Sequence, residues 1–344
     1  MTKPQCLQCV GHGRACYYYV IGEGDPTRGP ALPADVNLDH TELLNKFSLG
    51  LISPGIDAKS FEQQTTIALT TAAYAPYLMH EILAIVACHL AHTCPERKQY
   101  YLHAATQLQN EGLSFFNKIP KMTNRSRQPI VMFSFILGRH RCIDALATRC
   151  DGLEGLLTQW LGYAVTKQRR VSVVNAARPG LLKSEISPFM AWWDSGLKWP
   201  KGEGREFGGV LDLISSSALD DSAKEACRKA VNYVQAGYDS RPEGTGGESG
   251  PQRLMQMVFE WAALVPEGFV EMLKRRRPEA IAVLGCYAVL LHLAKDFWQI
   301  GDAGEHMLRV VDEHLGEGWS DWLAWPRGVV FANPWDGADE AQER

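Results

Sequence analysis

Three thiols at Cys6, Cys9 and Cys16 form the densest set of metal-ligating side chains in this 344-residue chain. The spacing Cys-x2-Cys-x6-Cys lets three thiolates meet one ion within a tight turn, and a structural zinc site closes on four tetrahedral donors. His12 is the fourth donor the local sequence offers, so the spacing predicts a single zinc held by Cys6, Cys9, Cys16 and His12. The competing reading is a segment that holds no ion and has no fixed structure. Either way the folding of the rest should not depend on metal, because the Gly- and Pro-rich stretch 20–38 separates it from residues 1–19.

Other chemistry-bearing residues are scattered. Cys88 and His92 stand four apart and would share a helix face, a spacing able to chelate a metal; a hydrogen-bonded His89 at a helix joint explains the cluster without one. Arg139-His-Arg141-Cys142, with Arg149, Cys150 and Lys167-Gln-Arg-Arg170, forms a basic run that reads as a solvated face or as a dock for an acidic ligand or partner. Gly-x-Ser-x-Gly, His-Glu-x-x-His, a dinucleotide fingerprint and a P-loop are all absent, and Gly202-Glu-Gly204 follows no strand. Were the chain an enzyme, a cyclase or isomerase acting on an apolar metabolite, His292, Asp296 and Tyr287 would be the catalytic candidates.

The elements that must carry these residues read as helices throughout. With 46% apolar and 22% charged residues the chain is ordinary globular material, and its net charge of −4 gives no overall basic surface for nucleic acid. Nine scattered cysteines fit a reducing compartment better than a disulfide framework, and the first residues contain no secretory h-region. Asp39 with Glu42 reads as the N-terminal box of a first helix. Pro76 opens a second and Pro95 ends it; a third runs from Glu96 to Ile119, antiparallel to the second. Helical stretches follow at Val131–Ala147, Leu153–Tyr163, Val210–Ile214, Ala223–Val234 and from Leu254 to Trp261. Residues 178–209 are broken by Pro and Gly but hold Phe189, Trp192, Trp193 and Trp199, which suits a flap packed on the body, and 239–251 reads as a surface loop. At the centre stands the run from Pro278 to Leu293, apolar on every face, with proline at its first turn: a buried helix, too interrupted by Glu279, Gly285 and His292 to span a membrane. No stretch alternates as a strand does, so the fold class is all-α.

Several of these runs, taken in order, resemble a known family. Phe259-Glu-Trp261, Leu264-Val-Pro266-Glu-Gly-Phe269, Arg277-Pro278, Tyr287 to His292, Gly301-Asp-Ala-Gly304 and Trp325-Pro326 are similar to the C-terminal signature of fungal zinc-cluster transcription regulators of the sterol uptake control type. Glu42-Leu-Leu44, Tyr77-Leu-Met-His80 and His89-Leu-Ala91 resemble the opening helices of the same regulatory domain, and Cys6, Cys9 and Cys16 resemble the second half of its six-cysteine cluster. The resemblance implies a half-cluster remnant (1–19), a linker (20–38), a helical ligand-sensing domain (39–330) and an acidic tail (331–344). It also implies a nuclear transcription regulator, with the cytoplasm as the alternative, able to pair with itself or with other zinc-cluster regulators. The remnant is then either a one-zinc site or a relic. Residues 1–19 retain just Lys3 and Arg14 as basic side chains, so sequence-specific DNA contact is expected only if further sequence precedes Met1. For the ligand, sterol-like or polyketide-like and hence tied to secondary metabolism, the expected pocket is Phe259, Trp261, Tyr287, His292, Phe297 and Trp298. His292 would be its polar anchor, and the alternative is that these side chains simply fill the core.

Overall fold

The computed structural model describes residues 37–49, 58–119, 121–181, 184–187, 199, 202, 204–241 and 250–331. Cys6, Cys9, His12, Cys16 and the 331–344 tail beyond its first residue lie outside them, as do Phe189, Trp192 and Trp193. The chain divides into two compact units, Met1–Thr41 and Glu42–Arg344.

The second unit is all-α, with no strand among the described residues. Thirteen helices are described in the chain: α1 (Leu38–Ser48), α2 (Ala58–Ala72), α3 (Pro76–Thr93), α4 (Lys98–Asn117), α5 (Arg127–Ala147), α6 (Gly152–Ala177), α7 (Gly208–Ser216), α8 (Asp221–Asp239), α9 (Gly250–Leu264), α10 (Glu267–Lys274), α11 (Pro278–Leu293), α12 (Ala303–Leu315) and α13 (Ser320–Val330).

The central helix is the expected one. Arg277 is extended ahead of Pro278, which sits in the first turn where its missing N–H costs nothing. Every residue from Glu279 to Leu291 is buried, and helices α8, α9, α10, α12 and α13 pack around it. An apolar side chain fully removed from water contributes about 1.5–3 kcal/mol, so burial of α11 on every face contributes heavily to the core. Its C-terminal half approaches α12 closely. A Cβ on Gly304 would lie 2.5 Å from the backbone nitrogen of His292 and 2.6 Å from the carbonyl of Ala288, distances real side chains do not tolerate. Gly301 makes the turn into α12 at φ +53°, the left-handed region.

Around this bundle, α3 and α4 form a pair bent by 120° at Cys94–Pro95, with α2 and α5 against α3. Helix α6 joins the two parts, packing on α5 along one side and on α9, α10 and α12 along another. Among the described residues no single helix is long and apolar enough to cross a membrane.

Three local readings are corrected. Asn37, not Asp39, caps α1: its side-chain oxygen accepts from the His40 amide at 3.0 Å, and Asp39 falls inside the first turn. Helix α2 carries so many Gln and Thr that its periodicity is faint, and it is absent from the sequence reading. The stretch starting at Leu153 does not stop at Tyr163 but continues to Ala177, so that Lys167 and Arg170 are helical and buried rather than part of a solvated run.

Candidate functional site

Two buried polar clusters sit where α5 meets its neighbours. The first lies between α3, α4 and α5. Helix α3 is buried on nearly all sides, yet it carries Glu81 with no solvent exposure and half-buried Cys88. Facing them on α5 is His140, itself buried. Its Nδ1 lies 2.8 Å from Glu81 Oε1 and 2.9 Å from the side-chain amide of Gln109 on α4, while its Nε2 lies 3.1 Å from Cys88 Sγ. Asp144, one turn on along α5, brings Oδ1 to 3.7 Å from the same Nε2. Burial opposes charge on His140, but the hydrogen bonds to Cys88 and Glu81 override it and raise its pKa well above the ordinary value.

The second cluster lies between α5, α6 and α9. Glu260 receives Arg170 through both guanidinium nitrogens, one of them at 3.0 Å, and Lys167 Nζ at 3.4 Å. All three side chains are buried. Burial would raise the Glu260 carboxyl, but Arg170 and Lys167 outweigh it and hold it below the usual carboxylate range. Lys167 is pulled down to about 8, first by burial and then by the Arg170 charge. Arg139 lays its guanidinium over the Phe259 ring at 4.6 Å, and the Tyr163 hydroxyl donates to the Phe259 carbonyl at 2.6 Å. The basic run of the sequence is therefore split. Lys167 and Arg170 point inward onto a carboxylate, whereas Arg141 is 42% exposed and lies 3.8 Å from Asp144.

The six expected pocket residues fall in two places. Phe259, Trp261 and Tyr287 are together in the interior, with the Trp261 and Tyr287 rings stacked at 4.3 Å and 8°. Their polar tips are already satisfied: the Trp261 indole donates to the Ala230 carbonyl at 3.0 Å and the Tyr287 hydroxyl to the Val258 carbonyl at 2.7 Å. His292, Phe297 and Trp298 sit at the far end of α11, partly buried. There Trp298 stands edge-on to His89 at 5.0 Å and tilted against His92 at 6.3 Å. Asp296 is exposed on the turn after α11. Cys88 and His92 do not share a partner; Cys88 meets His140 and His92 meets Trp298.

Glu81, His140, Asp144 and Glu260 were missed as site residues, although two of them left a signal. A lone carboxylate inside an apolar helical run, as in Leu78-Met-His-Glu81-Ile-Leu or Met257-Val-Phe-Glu260-Trp-Ala, requires a buried partner. The partner's identity comes only from tertiary packing.

No protein-family profile matches the chain. Over 304 residues, covering 81% of this chain and 78% of the relative, it is 24% identical to the Zn(2)-C6 fungal-type transcription factor afumD of Aspergillus fumigatus. That similarity supports the likeness to fungal zinc-cluster transcription factors, and it spans most of the helical unit just described.

Proposed function

We propose that the protein is a transcription regulator of the fungal zinc-cluster type, acting in the nucleus through its all-helical regulatory domain. The observation that carries this is the similarity along 304 residues to a Zn(2)-C6 fungal-type transcription factor, a protein whose likeness extends well past any short metal-binding segment. Zinc and a dimer partner of the same family are part of the proposal, as is DNA contact where further sequence precedes Met1. Three thiols and an imidazole at Cys6, Cys9, Cys16 and His12 are the donor types one tetrahedral zinc takes. The test is to tether the full-length chain to a promoter through a heterologous DNA-binding domain. Reporter transcription is expected to change, and an unchanged reporter with the fusion nuclear and expressed would overturn the proposal.

Ligand sensing is the finer reading, and one observation favours placing it at the Trp298 end. His89 Nδ1 and Trp298 Nε1 are both buried without a hydrogen-bond partner, on rings that touch each other, and a guest hydroxyl or carbonyl would satisfy them. Thermal unfolding with a panel of sterol-like and polyketide-like compounds tests this. A true ligand at 100 times its dissociation constant adds about 2.7 kcal/mol, and a panel with no shift sinks the idea.

A further inference from the structure

The seam between α3 and α5 holds metal donors other than the cysteines of residues 1–19. Cys88 Sγ, His140 Nε2 and a carboxylate oxygen of Asp144 all lie within 4.8 Å of one another. The separations from Nε2, 3.1 Å to sulfur and 3.7 Å to Asp144 Oδ1, are close to the edges of a small tetrahedron. A zinc with bonds of about 2.3 Å to sulfur and about 2.0–2.1 Å to nitrogen or oxygen sets its ligand atoms roughly 3.3–3.6 Å apart. Small side-chain rotations close the difference, since His140 and Asp144 are one helical turn apart on the same face of α5 and Cys88 faces them from α3.

Two further features belong to such a site. On the opposite edge of the imidazole, Glu81 Oε1 accepts from Nδ1 at 2.8 Å. A carboxylate there keeps the proton on Nδ1, turns the Nε2 lone pair toward Cys88 and Asp144, and raises its basicity, which is the usual support of a zinc-bound histidine. The second feature is an unpartnered carboxylate oxygen. Glu81 Oε2 is fully buried with no hydrogen-bond partner, and a buried carboxylate is costly unless its charge is balanced.

We propose that Cys88, His140 and Asp144 form a zinc site that clamps α3 to α5, with Glu81 as the positioning residue behind His140. Thiolate, imidazole and carboxylate together select zinc over magnesium or calcium, which take oxygen donors. Three protein ligands leave a fourth position; Cys88 is half-buried and the Asp144 side chain is 37% exposed. Water or an exogenous donor fills it. Binding releases the Cys88 thiol proton and, when the imidazole is charged, its Nε2 proton. This site stands whether or not the chain regulates transcription.

The experiment uses the full-length chain carrying Cys6→Ser, Cys9→Ser and Cys16→Ser, which removes the N-terminal thiols, titrated with cobalt(II) and then zinc(II). One equivalent of cobalt is expected to give a thiolate-to-metal charge-transfer band with tetrahedral ligand-field absorption, and zinc should bleach both. Adding Cys88→Ser should abolish the charge-transfer band, and Glu81→Gln should weaken binding by about 10–100-fold. Asp144→Asn, at a partly exposed position where the fold is safe, should weaken it as well and serves as the check if Cys88→Ser does not fold. The proposal is overturned by no cobalt spectrum in the chain lacking Cys6, Cys9 and Cys16, by a purely octahedral spectrum, or by a thiolate band that survives Cys88→Ser in folded protein.

Discussion

Replacing Lys167 by methionine should stabilise the protein at neutral pH, while replacing Glu260 by glutamine should damage it severely. Glu260 is the carboxylate between two buried cations. Glu260→Gln leaves Arg170 and Lys167 uncompensated inside the protein, an error that costs about 3–5 kcal/mol. Lys167→Met keeps the two-pronged contact from Arg170 to Glu260 and removes a charge that burial disfavours. A lysine titrating at about 8 rather than 10.5 destabilises the protonated native state by about 3 kcal/mol at pH 7. Its folded pKa lies below its unfolded one, so between pH 8 and 10.5 the unfolded chain retains a proton that the folded chain has released, and stability rises with pH. About 1 kcal/mol is recovered by pH 9. Buried thiols oppose this at higher pH: Cys227 and Cys286 are pushed up to about 12, so above pH 9 they withdraw stability. They do so in both proteins and cancel in the difference. The assay is urea unfolding of wild type and Lys167→Met at pH 7, 8 and 9. The variant's advantage, expected at about 1–3 kcal/mol at pH 7, should shrink as pH rises; a difference that stays flat, or a Glu260→Gln cost under about 1 kcal/mol, would refute the reasoning.

Three further outcomes are expected. Gly304→Ala should destabilise by about 1–3 kcal/mol because α12 must move off the α11 backbone, whereas Gly162→Ala, in the middle of α6 with nothing within 4 Å, should stabilise by about 0.5–1 kcal/mol; thermal melts of the pair decide it. Trp261→Ala should cost about 3–5 kcal/mol and Tyr287→Phe about 0.5–1.5 kcal/mol, both read by denaturant unfolding, since the first empties the stacked core pair and the second removes one hydrogen bond to the Val258 carbonyl. Stripping metal with a chelator should leave the far-UV helical signal in place, because the helical core around α11 supplies its own stability.

The helices most fully buried were the easiest to read. Pro278 at a helix start followed by a run apolar on almost every face reads as a buried helix, and Pro76 and Pro95 bracket α3, with α4 starting just beyond Pro95. Helix α2 was illegible because Gln63, Gln64, Thr65 and Thr66 dilute its apolar face. The polar clusters were harder for a different reason. Lys167 and Arg170 look like surface residues in sequence, since a long basic side chain reveals its burial only once a carboxylate from another helix is seen opposite it. The pairing of Cys88 with His140, fifty-two residues away, displaces the local Cys88–His92 spacing because packing between helices outranks spacing along one.

Genome-wide chromatin immunoprecipitation of the full-length chain, expressed at its native level in its own cell and read alongside transcript changes on its deletion, tests the regulatory assignment most directly. The account predicts enrichment at a defined set of promoters whose transcripts change when the gene is removed. A protein that occupies no promoter above background and whose loss leaves transcription unchanged would contradict it.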